Sequence, residues 1–444
     1  MSTPGVSLLY SLLIRNATIA HPDGSTTPGD VACAAGKIVR IAESILAPAE
    51  ETIDAAGKLL LPGVIDPQVH FREPGKEYKE DLRSGSRAAA RGGVTSFLDM
   101  PNTDPATINQ QALNDKLARA ARKSVVNYGF FIGATKDNLD ELNRAAPACG
   151  IKIFMGASTG SLLVNRAEDI ERIFAHGTRL IAVHAEDEAR IQARKPQFAQ
   201  RTDAAAHSEL RDNECALIAT RLVLSLAKKY RRRLHILHLS TQEEVALLRQ
   251  DKPEWVTAEV IPNHLLLNVD DYPEQGTRVQ MNPPIRTAAD NAALWAGLRD
   301  GIIDFIATDH APHTLEEKSL GYPKAPSGMP GVETSLPLML TQMHAGRCTL
   351  ADIQKWMCYG PARAYAIANK GKILEGWDAD LTLVDMDNLR PVRDEDCFTK
   401  VKWSPYTGRM LRGWPVYTIV GGEVVFDQGR IRPGVPGKPL AYTQ

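Results

Sequence analysis

Between residues 62 and 365, apolar stretches of strand length alternate with amphipathic stretches of helix length, and no other property of the chain limits its fold as much. The strand candidates are Thr95 to Met100, Val125 to Phe131, Ile151 to Met155, Leu180 to His184, Leu234 to Leu239, Val256 to Val260 and Phe305 to Ala307, preceded by the run Leu59 to Ile65. Helical periodicity fills the gaps, in Tyr78 to Arg91, Leu113 to Arg122, Arg166 to Ala175, Glu209 to Tyr230 and Ala288 to Asp300. So many β-α repeats favour a closed parallel (β/α)8 barrel of the TIM type over an open doubly wound sheet, and no G-x-G-x-x-G turn follows any strand. The expected class is α/β.

The two ends have a different texture. Short strands with turn residues run through Ser11 to Asn16, Gly29 to Ala34 and Lys37 to Ile41, and the texture returns in Ala379 to Asp385 and Tyr417 to Phe426. Residues 1–61 and 366–444 are therefore expected to form one composite β-sandwich module around a catalytic barrel of residues 62–365. A chain of 444 residues is long enough for both.

Charge excludes some partners. Lys+Arg number 52 against 53 Asp+Glu, so no global field recruits nucleic acid or an acidic membrane surface. The one basic run, Lys228 to Arg233, reads as a solvated helix end. The apolar segment Val6 to Ile14 is too short for a span, and the six cysteines show no C-x-x-C pair. Reduced thiols in a cytoplasmic protein are the expectation.

A barrel enzyme carries its chemistry at the C-terminal ends of its strands. There the chain offers His70, Asn102, Lys152, His184, His238 and Asp309. Gln68 and His70, two apart on an apolar strand end, share a face. A lone histidine has a bland reading as a hydrogen-bonded structural residue. Lys152 is harder to dismiss, because an unpaired ammonium between Ile151 and Ile153 on a buried strand is costly or loses its charge. It needs a partner or a modification, and carbamylation by CO2 would make it a carboxylate able to bridge two metal ions. Three imidazoles, a carbamate and Asp309 suit zinc, which lowers the pKa of bound water and polarises a carbonyl, as amide hydrolysis requires. Asp309 would accept the proton of the attacking hydroxide and pass it to the leaving nitrogen. His235 is left out, since its odd spacing from His238 sets the two rings on opposite faces of a strand.

In order along the chain, Val69-His70-Phe71-Arg72-Glu73-Pro74-Gly75, Met100-Pro101-Asn102-Thr103, Ile151-Lys152-Ile153-Phe154-Met155, Val183-His184-Ala185-Glu186, His235-Ile236-Leu237-His238, Asn282-Pro283-Pro284, Thr308-Asp309-His310-Ala311-Pro312-His313 and Pro326 to Thr334 resemble the segments of class I dihydroorotases of the amidohydrolase superfamily. That resemblance covers nearly the whole chain. It implies reversible closure of N-carbamoyl-L-aspartate to L-dihydroorotate, a step of pyrimidine synthesis. By the resemblance, His70, Lys152, His184, His238 and Asp309 fall on metal-ligand positions for one or two zinc ions, with Lys152 carboxylated. Arg72, Asn102 and His313 fall on positions that hold the substrate carboxylate, which suits an arginine fork with two directional donors. Asn282 and the Pro326 to Gly331 loop line the ring pocket. The bland reading for Arg72 is a salt bridge with Glu73. A homodimer agrees with the family.

Two positions depart from the pattern. Gln68 stands where a first metal-binding histidine is usual, which would weaken or empty one of the two metal positions. In Pro262-Asn263-His264, Asn263 replaces a histidine, and no role is assigned to it. Two other functions stay open: a hydantoinase or allantoinase, acting on neutral rings, and a catalytically silent scaffold partner of aspartate transcarbamoylase.

Overall fold

The computed structural model describes residues 9–156, 162–434 and 437–443; the first part of the Val6 to Ile14 run lies outside them. Six strands pair in parallel in the order Phe305–Ile306, Val256–Val260, Leu234–Ile236, Ile181–His184, Ile151–Phe154 and Ile132–Gly133. Val64–Val69, Val94–Asp99 and Asn127–Phe130 pair in parallel as a second sheet. Only Phe131 separates Asn127–Phe130 from Ile132–Gly133, so the two sheets share one kinked strand and run as an eight-stranded circuit. A parallel bridge between Val69 and His310 closes it, with His70 N donating to His310 O at 2.8 Å. The strands are buried along their whole length but for the half-buried Thr257, as parallel strands under helices are.

The ends of the chain build one nine-stranded, sandwich-like mixed sheet. Its seam is Leu59–Pro62, which pairs parallel with Tyr10–Ala20 and antiparallel with Leu381–Pro391. Leu12, Ile14, Val31, Leu60, Leu381 and Ile419 share one apolar cluster there, so the two ends cohere by burial as well as by hydrogen bonds.

Two helices differ from the periodicity in ways that bear on the site. The pattern from Tyr78 becomes a helix only at Leu82–Arg91, because Asp81 accepts from the N–H groups of Arg83 and Ser84 as a capping box. Lys79 and Glu80 are thereby left in the preceding turn. The single helix expected over Glu209 to Tyr230 is two, Ala206–Leu210 and Asn213–Lys229. Asp212 caps the second by accepting from Cys215 N, and the break turns Arg211 inward. The basic run at the end of that helix is solvated only in part: Lys229 pairs with Glu171 at 2.5 Å at the surface, whereas Arg232 is buried with its guanidinium nitrogens unpartnered among the described residues. All six cysteines are buried and free. Among the described residues no helix is long and apolar enough to cross a membrane.

Candidate active site

At the C-terminal mouth of the barrel lies a cavity of about 440 Å³ whose wall includes Gln68, His70, Arg72, Asn102, Lys152, His184, His238, Asn282, Asp309 and His313. Every residue singled out for chemistry therefore reaches one space. The backbone is forced to achieve this: Arg72, His238 and Asp309 adopt left-handed φ values of 62°, 36° and 49°. Such conformations cost of order 1–3 kcal/mol each in non-glycine residues and persist where the surroundings impose them.

The polar atoms fall into two groups. In the first, His70 Nδ1 lies 2.7 Å from Asn102 Oδ1. A carboxamide oxygen only accepts, so the ring proton sits on Nδ1 and Nε2 presents a lone pair. That lone pair faces Asp309 Oδ1 at 3.0 Å, an acceptor facing an acceptor. Gln68 Nε2 donates to the same Asp309 oxygen at 3.1 Å, so Gln68 and His70 do share a face. In the second group, His184 Nε2 donates to Glu186 Oε2 at 2.8 Å, which leaves His184 Nδ1 as an acceptor, 3.0 Å from His238 Nε2. Burial pushes both imidazoles below their ordinary range, keeping them neutral and able to ligate. Burial alone would raise the Glu186 carboxyl, but Arg211 and His184 prevail and hold it below the usual range. His238 Nδ1 and Gln68 Oε1 are buried without partners.

Each group has the character of a half-built cation site. Among the described residues no three His, Cys, Asp or Glu side chains form a group that could hold a metal. Two such donors meet in each half, and Lys152 is coupled electrostatically to Asp309, His184 and His238. Its ammonium is buried over the Phe154 ring at 4.5 Å, and burial pulls it down to about 7. The donor set fits a divalent metal only if Lys152 becomes an acceptor, which a carbamate would supply to both halves.

At the other end of the cavity the bland reading of Arg72 fails. Glu73 turns away and pairs with Lys123 at 2.5 Å and Arg119 at 3.4 Å. Arg72 is buried, donates Nε–H to Pro312 O at 3.3 Å, and approaches His313 Nε2 at 3.3 Å. It forms no salt bridge among the described residues.

A deep polar cavity at the mouth of a barrel is shared by many enzymes, so the whole chain has to decide the family. The sequence profile of the amidohydrolase family matches residues 59–425. The chain belongs to the amidohydrolase family. It is 37% identical over 439 residues to a dihydroorotase of Methanosarcina mazei, an alignment spanning 95% of this chain and 96% of that one. With a dihydroorotase of Listeria innocua it shares 35% over 428 residues, 94% of this chain and 99% of the other. Among solved structures it resembles an L-hydantoinase (dihydropyrimidinase) from Arthrobacter aurescens, with a TM-score of 0.92 and 31% identity over 97% of this chain and 99% of that one. A dihydropyrimidinase from Brevibacillus agri superposes with a TM-score of 0.89 at 26% identity, over 97% and 98% of the two chains.

In this amidohydrolase, Lys79, His207 and Arg211, which the sequence did not single out, also line the cavity, Glu186 stands behind His184 and Arg211, and Ser327 lines it from the loop expected there. His207 Nε2 lies 2.8 Å from Asn282 Oδ1, so Asn282 arrives already engaged. Glu186 had a sequence signal, standing two residues beyond His184 at a strand end. Arg211 had none, since an apparent continuous helix from Glu209 hid the break that turns it inward, and His207 lay outside every segment read as a strand or helix. The reason given for omitting His235 does not hold: the strand stops at Ile236, and alternation says nothing about His238 beyond it. His235 is engaged elsewhere, stacked on Phe305 and bonded to Glu259 at 3.0 Å and Thr257 at 2.8 Å. Asn263 accepts from Tyr406 Oη at 2.6 Å, a structural role.

Proposed function

We propose that this amidohydrolase is a dihydroorotase, closing N-carbamoyl-L-aspartate to L-dihydroorotate and reopening it, with one or two zinc ions on His70, carbamylated Lys152, His184, His238 and Asp309. The curated relatives support the activity, and one observation carries the substrate class: a buried guanidinium, Arg72, that faces the cavity with carboxylates near it but none in a salt bridge with it among the described residues. An unpaired buried charge is costly, so the site favours an anionic substrate over a neutral ring. The hydantoinase reading, which the solved structures suggest by likeness, leaves Arg72 without a partner.

The substrate carboxylate lies against Arg72 and His313, with the free amide of Asn102 beside them, which directs the ring toward Lys152 and Asp309. A divalent ion bound there would polarise the reacting carbonyl and ease loss of a proton from water. Asp309 takes that proton on Oδ1 and hands it to the ring nitrogen as the amide bond breaks, and ring closure runs the same steps backward. Gln68, donating to Asp309, holds the carboxylate in place for the transfer. The catalytic unit is the barrel of residues 62–365, with the two ends as its supporting module, and a cytoplasmic setting suits a pathway enzyme with free thiols.

L-dihydroorotate, hydantoin and allantoin offered side by side to the zinc-loaded protein test this. Ring opening of L-dihydroorotate, falling at least about a hundredfold in Arg72→Met as expected when a charge-assisted bidentate contact is lost, supports it. Turnover of hydantoin or allantoin alone sinks it, and absence of both zinc and turnover makes the chain a scaffold.

A further inference from the structure

We propose that Lys79 is a positioning residue for the substrate carboxylate: it donates to Nδ1 of His313, fixes that ring as the Nε2–H tautomer, and so makes His313 a second donor beside Arg72. The inference deepens the dihydroorotase reading and rests on it for the carboxylate, whereas the tautomer it assigns depends on no substrate.

His313 is buried, and burial pushes its imidazolium down to about 3, so near neutral pH the ring carries one N–H. Four groups compete for its two nitrogens. Nδ1 lies 2.9 Å from Lys79 Nζ and 3.5 Å from Glu317 Oε2. Nε2 lies 3.1 Å from the backbone oxygen of Ser327 and 3.3 Å from Arg72 Nη2. With the proton on Nδ1, the two longer contacts become bonds, Nδ1–H to Glu317 at 3.5 Å and Arg72 Nη2–H to Nε2 at 3.3 Å, but the Lys79 ammonium then meets N–H with N–H at 2.9 Å, and the Ser327 carbonyl meets a lone pair at 3.1 Å. With the proton on Nε2, both shorter contacts are bonds, Lys79 donating to Nδ1 and Nε2–H donating to Ser327.

Glu317 loses nothing by this. It accepts from Lys79 at 2.8 Å, from Tyr78 Oη at 3.0 Å and from Thr314 N at 3.1 Å. That salt bridge also keeps the Lys79 ammonium in place, although Lys79 is buried. Asp81, by starting the helix at Leu82, leaves Lys79 in the turn from which it reaches His313.

The Nε2–H tautomer leaves one contact unsatisfied. Arg72 Nη2 and His313 Nε2, 3.3 Å apart, become two donors with no acceptor between them. An anionic oxygen placed at that pair accepts from both, so the mismatch is relieved when a carboxylate arrives. Lys79 touches none of the reacting atoms and acts through His313.

Long-range 1H–15N NMR on the full-length, zinc-loaded protein, labelled at the ring nitrogens of its 11 histidines and assigned with His313→Gln, reads the tautomer directly. The expected spectrum shows Nε2–H at His313 in the native protein and a shift toward Nδ1–H in Lys79→Met, where Glu317 is the remaining partner. In the same variant the KM for L-dihydroorotate should rise about tenfold, the size of one lost hydrogen bond to a charged group, with a smaller change in kcat; Lys79→Arg, which keeps a donor, should recover most of it. An Nδ1–H signal from native His313 overturns the proposal whether or not Lys79→Met folds, as does an unaltered tautomer with an unaltered KM in a folded variant. Failure of the native enzyme to open L-dihydroorotate overturns the dihydroorotase reading instead, and the spectra then decide the tautomer alone.

Discussion

At residue scale the departure at Gln68 is local. Its Nε2 donates to Asp309 at 3.1 Å and its Oε1 is buried without a partner, so the carboxamide orients the aspartate while offering a poor donor to a cation. Gln68→His should therefore raise the affinity of the weaker of two metal positions by about tenfold or more, the scale of changes around a metal site. It should leave the KM set by Arg72 little altered. Zinc titration followed by metal analysis checks this; a native enzyme that already holds two tightly bound ions per chain contradicts it. His70, Asn102, Lys152, His184, His238 and Asp309 were legible as polar residues at the ends of apolar strands, whereas Arg72, His313 and Asn282 were indicated only by the resemblance. Their protonation was not, because Asn102 and Lys79 act on His70 and His313 from other segments, and strand period does not show that Glu186 turns back onto His184.

At the scale of elements, the loop expected to line the ring pocket is held by a device invisible in its own sequence. Lys318, at the end of the short helix Leu315–Lys318, is buried and donates to the backbone oxygens of Gln280 at 2.9 Å, Pro326 at 2.9 Å and Gly328 at 3.0 Å. Gly328 closes the fit: at φ 139° its added Cβ would lie 2.4 Å from Ala311 O. Lys318→Met would strand the carbonyls of Pro326 and Gly328, each worth about 1–3 kcal/mol if left unsatisfied and less where water reaches them, while Gln280 O keeps its bond from Gly328 N at 2.9 Å. The expected result is a loss of at least about 2 kcal/mol in urea unfolding and faster hydrogen exchange over residues 325–331. Unchanged exchange in that loop would show that the lysine does not hold it. Helix starts were misread by a few residues wherever a cap overrode periodicity, as Asp81 and Asp212 show.

At the scale of the whole molecule, folding buries titratable groups of both kinds. Burial pulls His207 and His264 down to about 4 and His235 and His313 to about 3, while it raises Asp66 to about 7. A histidine with a depressed folded pKa is neutral in the native state and protonated in the unfolded one between about 4 and the ordinary 6.5, so it lowers stability as pH falls through that window. Asp66, raised, contributes with the opposite sign between 3.8 and about 7. Comparison with one variant isolates a single group: His264→Gln, which keeps a donor for Pro283 O, should reduce the slope of unfolding free energy against pH between 6 and 5 by roughly 1 kcal/mol per unit, below the limit of about 1.4 for a whole proton. Identical slopes in urea titrations of the two metal-free proteins would refute it. The sequence by itself determined the class of fold and the list of polar strand ends, because strand and helix periods are local and eight repeats leave few ways to close. Only the tertiary structure decided which partners those groups meet: closure of Val69 onto His310 brings Gln68 beside Asp309 and Arg72 beside His313, contacts that no local period encodes.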